Sequence, residues 1–147
     1  MVNVRRIHAD EAPAVARLWD GMGCELPDGD RMTPGELASI ERLLAAGAAD
    51  ERDFCLVALR DGRIVGFVNG SLRGEDGLTG EIETCYVVPD ARRGGVGSAL
   101  ARAAMRWLRD RGADPLHLET WLDREDVAAF WSSLGFEPES IRMALYA

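Results

Sequence analysis

Val87-Val88-Pro89-Asp90-Ala91-Arg92-Arg93-Gly94-Gly95-Val96-Gly97-Ser98 decides the reading of this chain, because an apolar run stops at a proline and resumes, past two glycines, as a helical pattern. Upstream, Glu81 to Val88 reads as a strand that ends where Pro89 can no longer donate to a ladder. Downstream, Val96, Leu100, Ala103, Ala104, Trp107 and Leu108 recur at helical spacing to about Arg111, and Gly112 is the stop. A helix N-terminus presents unpaired N–H groups and about half a positive charge, so the junction suits an anion. Gly94, Gly95 and Gly97 let the backbone approach phosphate oxygens closely, and Arg92 and Arg93 can add charge-assisted hydrogen bonds. Two familiar phosphate loops do not match. A Walker loop ends in Gly-Lys-Ser/Thr and this chain has no lysine, while G-x-G-x-x-G started at Gly95 would need a glycine at Leu100.

Working outward, Val2 to Ile7 reads as a strand, followed by a helix capped by Asp10 with Val15, Leu18, Trp19 and Met22 on one face. A loop carrying Glu25, Asp28 and Asp30 leads to Thr33-Pro34-Gly35-Glu36, a capping box with proline at the first helical position, and a second helix with Leu37, Ile40, Leu43 and Leu44 inward. Phe54 to Leu59 and Ile64 to Leu72 form a hairpin about Asp61-Gly62. Past the central helix, Leu116 to Trp121 reads as a strand parallel to Glu81–Val88, since a helical crossover separates them. A short helix over Val127 to Leu134 and a last strand near Ile141 to Tyr146 complete the order. No repeat or linker interrupts it, so residues 1–147 are expected to form one domain.

Composition narrows the function. The net charge is −8 and all 17 basic residues are arginine, which disfavours a nucleic-acid partner and tilts toward a cationic substrate. Three widely spaced cysteines, Cys24, Cys55 and Cys85, suggest neither a disulfide framework nor a metal site. There is no apolar signal core at Met1–Arg6 and no stretch near the ~18 apolar residues of a membrane span. A cytoplasmic protein with no membrane partner is expected, and arginine without lysine points to a GC-rich bacterial genome.

Arg92-x-x-Gly95-x-Gly97 after a strand ending in Val-Pro resembles the signature of the Gcn5-related N-acetyltransferase superfamily. Phe130-Trp131-Ser132-Ser133-Leu134-Gly135-Phe136 is similar to its second signature, and the element order fits along nearly the whole chain. The resemblance implies an α/β fold of the α+β kind: a mixed, mostly antiparallel sheet with two splayed parallel central strands and helices on both faces. It implies acetyl-CoA as co-substrate and no metal. Backbone groups of Cys85, Tyr86 and Val87 would pair with the pantetheine amides, facing Leu118 to Trp121 across the cleft. Arg93, Gly94, Gly95, Val96, Gly97 and Ser98 would cradle the pyrophosphate. A homodimer is compatible with such families.

The implied reaction is direct attack of an amine, of a small molecule or a peptide, on a thioester. An alkyl amine is only about one part in 10³ neutral at pH 7, so deprotonation is worth roughly 4–5 kcal/mol. Glu83 is the candidate general base and Glu81 the fallback; by two-residue alternation both share a face with Cys85 and Val87. Glu25, Asp28 and Asp30 are candidates for holding a cationic acceptor. Trp131 stands where many family members carry a tyrosine that protonates the departing thiolate. An indole cannot do that, so water or Ser132 would, and Trp131 is expected to pack on the pantetheine arm or wall the acceptor pocket. That departure leaves a catalytically silent acyl-CoA-binding or sensor module as the alternative.

Overall fold

The computed structural model describes residues 2–26, 29–76, 78–120 and 124–147. Asp28 and Trp121, both singled out above, lie outside them. The elements are β1 (Asn3–Arg6), a short 3-10 turn, α1 (Ala12–Cys24), α2 (Pro34–Ala46), β2 (Asp53–Arg60), β3 (Arg63–Arg73), β4 (Thr79–Val87), α3 (Val96–Asp110), β5 (Leu116–Leu118) and α4 (Glu125–Ser133). The strands form one sheet in the order β1-β2-β3-β4-β5, antiparallel except for the parallel β4–β5 pair.

Local signals place the elements. Asp61 and Gly62 take φ values of 52° and 78°, the positive pair that a two-residue hairpin needs to match strand twist. Thr33 and Glu36 close the expected capping box at the start of α2. The start of α1 differs: Asp10 falls within the 3-10 turn, and the capping box there is made by His8 and Glu11. Val65 has no partner between the pairs Ala58–Gly66 and Leu59–Ile64, a β-bulge that bends the hairpin.

Two apolar layers sandwich the sheet. On one face, Leu100, Ala101, Ala104 and Leu108 of α3 pack against Phe54, Leu56, Ala58, Val68 and Ile82. Trp107 packs at the edge of this layer, its ring 4.6 Å from that of Phe54 and covered by the Arg111 guanidinium at 3.6 Å. On the other face, Val15 and Ala16 of α1 and Leu44 of α2 meet Cys55, Val57, Phe67 and Tyr86. No helix of the described residues is long and apolar enough to cross a membrane.

The C-terminal expectation is corrected. Ile141 to Tyr146 forms no strand, and Ile141, Met143, Leu145 and Tyr146 are 71–98% exposed. A period-two pattern makes a strand only where a ladder and an apolar surface receive it, and among the described residues this run meets neither. β5, parallel to β4, is the last strand of the described sheet.

β1 is fastened by charge. Arg5 donates to both Glu11 oxygens, at 2.8 and 2.9 Å. Those bonds outweigh burial and, helped by the His8 N–H, hold the Glu11 carboxyl at about 2 against an ordinary 4.5. A depressed folded-state value stabilises above pH 4.5 and is lost as pH falls toward 2. Glu11→Gln is therefore expected to cost about 2 kcal/mol in urea unfolding at pH 7, with the two proteins converging near pH 2.

Candidate functional site

The strand-to-helix junction folds as its sequence requires. After Val87, Pro89–Ala91 make a 3-10 turn, Arg93 and Gly95 take φ values of 67° and 82°, and α3 begins at Val96. The bond from Ala99 N–H to Gly95 O, 3.0 Å, is the first of α3. The N–H groups of Val96, Gly97 and Ser98 thus precede any intrahelical partner and can meet an anion. They open onto a cleft of about 280 Å³ lined by Val87, Arg92, Arg93, Gly95, Val96, Gly97, Ser98 and Phe130. Gly94 lies just outside it, and a Cβ there would stand 2.9 Å from Arg60 Nη2. That brings a third arginine to the turn from the end of β2, which nothing in the local sequence signals.

The side chains of the two expected arginines differ in what they do. Arg92 donates through Nε to Val87 O at 2.9 Å and through Nη2 to Glu25 Oε1 at 2.8 Å, so it ties the loop after α1 to the end of β4. The Tyr86 hydroxyl also donates to Glu25, and the Arg92 guanidinium lies 5.5 Å from the Tyr86 ring centre. Burial, with Glu25 beside it, pushes the Tyr86 hydroxyl up to about 12, so it stays protonated. Burial raises Glu25 too, but the bonds from Tyr86 and Arg92 outweigh this and hold it below the usual carboxylate range. Glu25 is thus a structural latch across the mouth of the site, while Asp30 is exposed. Arg93 has no ion-pair partner among the described residues.

Beside the junction the sheet opens. Among the described residues β4 and β5 pair only at Gly80–Leu116, Glu81–His117 and Ile82–Leu118, whereas β4 stays paired with β3 as far as Val87–Gly66. From Glu83 onward the β5-facing backbone of β4 has no strand partner among the described residues, an arrangement suited to amide groups of an extended ligand. The side chains of Cys85 and Val87 pack into the α3 layer and Tyr86 into the α1–α2 layer. Burial pushes the Cys85 thiol up to about 12, so it is no nucleophile.

The predicted alternation along β4 is interrupted. Asn69 pairs with Thr84 and Gly70 with Ile82, leaving Glu83 as the extra residue of a β-bulge. Gly70 permits it: a Cβ there would come within 2.1 Å of Glu81 O. The bulge puts Cys85 and Val87 on the α3 face, while Glu83 meets Asn69, Ser71 and Arg73, in step with Phe67 on the α1–α2 face. Arg73 Nη2 donates to Glu83 Oε1 at 2.7 Å and Ser71 Oγ at 3.3 Å, and Arg73 Nε lies 3.3 Å from Glu81 Oε2. Glu83 is about one-third exposed, so it is held in place and still reachable. Local sequence did not signal Asn69, Ser71 and Arg73, because their register with Glu83 depends on the bulge.

The aromatic wall differs from expectation. Trp131 is 8% exposed and stacks edge-on with Phe130 and Phe136, 5.0 and 5.5 Å away, within the α3 core layer. Phe130, one residue earlier, is the aromatic that lines the cleft. His117 pairs with Glu139 at 2.9 Å.

Comparison with known proteins agrees with this geometry. Residues 17–136 match the model of the acetyltransferase (GNAT) family. The chain belongs to that family. It is 34% identical over 124 residues to the aminoglycoside N(6')-acetyltransferase type 1 of Klebsiella aerogenes, covering 80% of each chain. It is 38% identical over 86 residues to a mycothiol acetyltransferase of Thermobispora bispora, covering 54% of this chain and 28% of that one. The fold matches a putative acetyl transferase from Pyrococcus furiosus with a TM-score of 0.78 at 21% identity, covering all of both chains. The GNAT chain is accordingly an N-acetyltransferase with acetyl-CoA as its acyl donor. The glycine-lined cleft and the open edge of β4 fit a donor with a pyrophosphate at one end and an amide-bearing arm. Among the described residues no group of three or more His, Cys, Asp or Glu side chains is placed to hold a metal ion.

Proposed function

We propose that this acetyltransferase acylates a primary amine of a cationic small molecule of the aminoglycoside kind, with Glu83 as general base. The observation that carries the reading is the bulge, which sets the Glu83 carboxylate where β4 and β5 part, on the face turned toward α1 and α2. The N–H groups of Val96, Gly97 and Ser98, with Arg93, hold the pyrophosphate, and the backbone of Cys85, Tyr86 and Val87 aligns the arm. Glu83 accepts one proton from the acceptor ammonium, freeing its lone pair to attack the thioester carbonyl. The departing thiolate, with an ordinary pKa of about 8.5, needs a proton worth only about 2 kcal/mol at pH 7, which water at the exposed Ser132 supplies. The net charge of −8 and the aminoglycoside-modifying relative support a cationic acceptor.

The test is thiol release from acetyl-CoA with aminoglycosides, linear polyamines and peptides with free N-termini. Turnover is expected with aminoglycosides at a kcat/KM at least about tenfold above peptides, in the ordinary range for enzymes. Release with peptides alone would replace the small-molecule reading, and no release above hydrolysis with any of these amines, coenzyme still binding, would favour a sensor.

A further inference from the structure

Behind Glu83 lies a void that the reaction as described does not use. It has about 10 Å³ of room, near the smallest space that takes one water, between Leu43 and Leu44 of α2, Gly47 just past its end, and Asp53, Asn69 and Glu83 of the sheet. Asn69 is 5% exposed; its Nδ2 donates toward Glu83 Oε2 at 3.5 Å, and its Oδ1 has no hydrogen-bond partner among the described residues. A buried carbonyl oxygen without a donor costs roughly 1–3 kcal/mol, so its place beside a void with two carboxylates calls for a donor there. Asp53 sits across the ladder from Ser71 and is only partly buried.

Resting on the assignment of Glu83 as base, we infer that Asn69 Oδ1 holds one water in this void, and that the water relays the proton from Glu83 to Asp53 and so to solvent. The water donates one hydrogen to Asn69 Oδ1 and the other to Asp53, while its oxygen accepts from protonated Glu83. The step balances: an N–H bond of the acceptor ammonium breaks as an O–H bond forms on Glu83. The water then receives that proton as it gives one to Asp53, which releases it to solvent. One proton crosses and no electrons change hands. With acceptor and coenzyme covering the mouth, this route lets Glu83 recover its charge without product leaving first. Burial, with Asp50 and Glu83 nearby, raises the Asp53 carboxyl, which favours its taking a proton; Arg73 and Arg52 oppose. The other charges around the pair are Glu81, held by Arg73, and Arg6, which donates to the Asp53 carbonyl at 3.1 Å. The lining part of α2 carries none.

The test uses Asp53→Asn, Asn69→Leu, Asn69→Ala and, as reference, Glu83→Gln, in the full chain, with coenzyme titration as the check of folding. Asp53→Asn is expected to lower kcat about tenfold and move the acidic limb of the kcat profile to lower pH, because a negative neighbour of Glu83 is gone. Asn69→Leu fills the void; it is expected to lower kcat as much and move the limb to higher pH, because a donor to the Glu83 carboxylate is lost. Asn69→Ala leaves room for water and should retain severalfold more activity than the leucine variant. A high-resolution crystal structure should place a water within hydrogen-bond distance of Asn69 Oδ1. An unchanged kcat and limb in Asp53→Asn, or a dry void, overturns the relay while a slow Glu83→Gln leaves the base standing. A fast Glu83→Gln overturns both. Should the leucine variant not fold, Asp53→Asn decides alone.

Discussion

Glu83→Gln is expected to lower kcat about 10³-fold at pH 7 and to leave the Kd for acetyl-CoA within about twofold. General bases contribute about 10² to 10⁴, and the upper part of that range applies because an alkyl ammonium at neutral pH holds its proton by some three pH units. Glutamine keeps the size of the side chain and can still accept from Arg73 and Ser71, which donate to Glu83 at 2.7 and 3.3 Å, so the bulge and the coenzyme cleft persist. The shape of the pH profile separates loss of a base from general damage. With no base, the variant depends on amine already neutral in solution, and its kcat/KM should climb about tenfold per pH unit from pH 6 to 9. The parent should be flatter. A variant as fast as the parent removes Glu83 from the mechanism, and Glu81, whose carboxylate lies on the other side of Arg73, becomes the candidate.

Gly95→Val is the second large effect, and it acts on the coenzyme instead of the chemistry. Gly95 takes a φ of 82° with nothing within 4 Å of where a Cβ would stand, so the obstacle is conformational and not steric crowding by neighbours. A β-branched residue held there costs about 1–3 kcal/mol, and relaxing it turns the N–H groups at the start of α3 away from their common target. Calorimetric titration should show a Kd for CoA raised about 100-fold, the equivalent of near 3 kcal/mol. The melting temperature without ligand should fall by only a few degrees. Arg93, at φ 67°, supplies the internal contrast, since Arg93→Gly relieves strain while removing a charge and should weaken binding less than Gly95→Val does. Equal CoA affinity in Gly95→Val and parent would dissociate the turn from the coenzyme.

The parts of the fold that the sequence announces are those set by local chemistry. Pro89, the glycine turn, the Asp61-Gly62 hairpin and the Thr33–Glu36 box each name a backbone conformation within a few residues, and each is found where its residues stand. What could not be read depends on register between distant strands. Alternation along β4 predicted one face for Glu83, Cys85 and Val87, but the bulge opposite Gly70 offsets the count by one. A single glycine in a strand hints at such a bulge without saying which strand carries the extra residue. Trp131 and Phe130 were inseparable in sequence because a helix turns by about 100° per residue, so neighbours face different surroundings. The run from Ile141 to Tyr146 shows the complementary limit: its pattern is that of a strand, yet a pattern supplies no partner.

The early parting of β4 from β5 has a consequence for the life of the protein as well as for its chemistry. A sheet whose ladder, among the described residues, stops after Ile82 and Leu118 is finished by its donor, which, bound along β4 as proposed, takes the place of further hydrogen-bond rungs. Binding of that kind adds to folding free energy in proportion to the logarithm of donor concentration over Kd, about 2.7 kcal/mol at a hundredfold excess. Proteases that cut transiently opened chains sample that same equilibrium. Resistance to such proteases is therefore expected to rise with acetyl-CoA concentration.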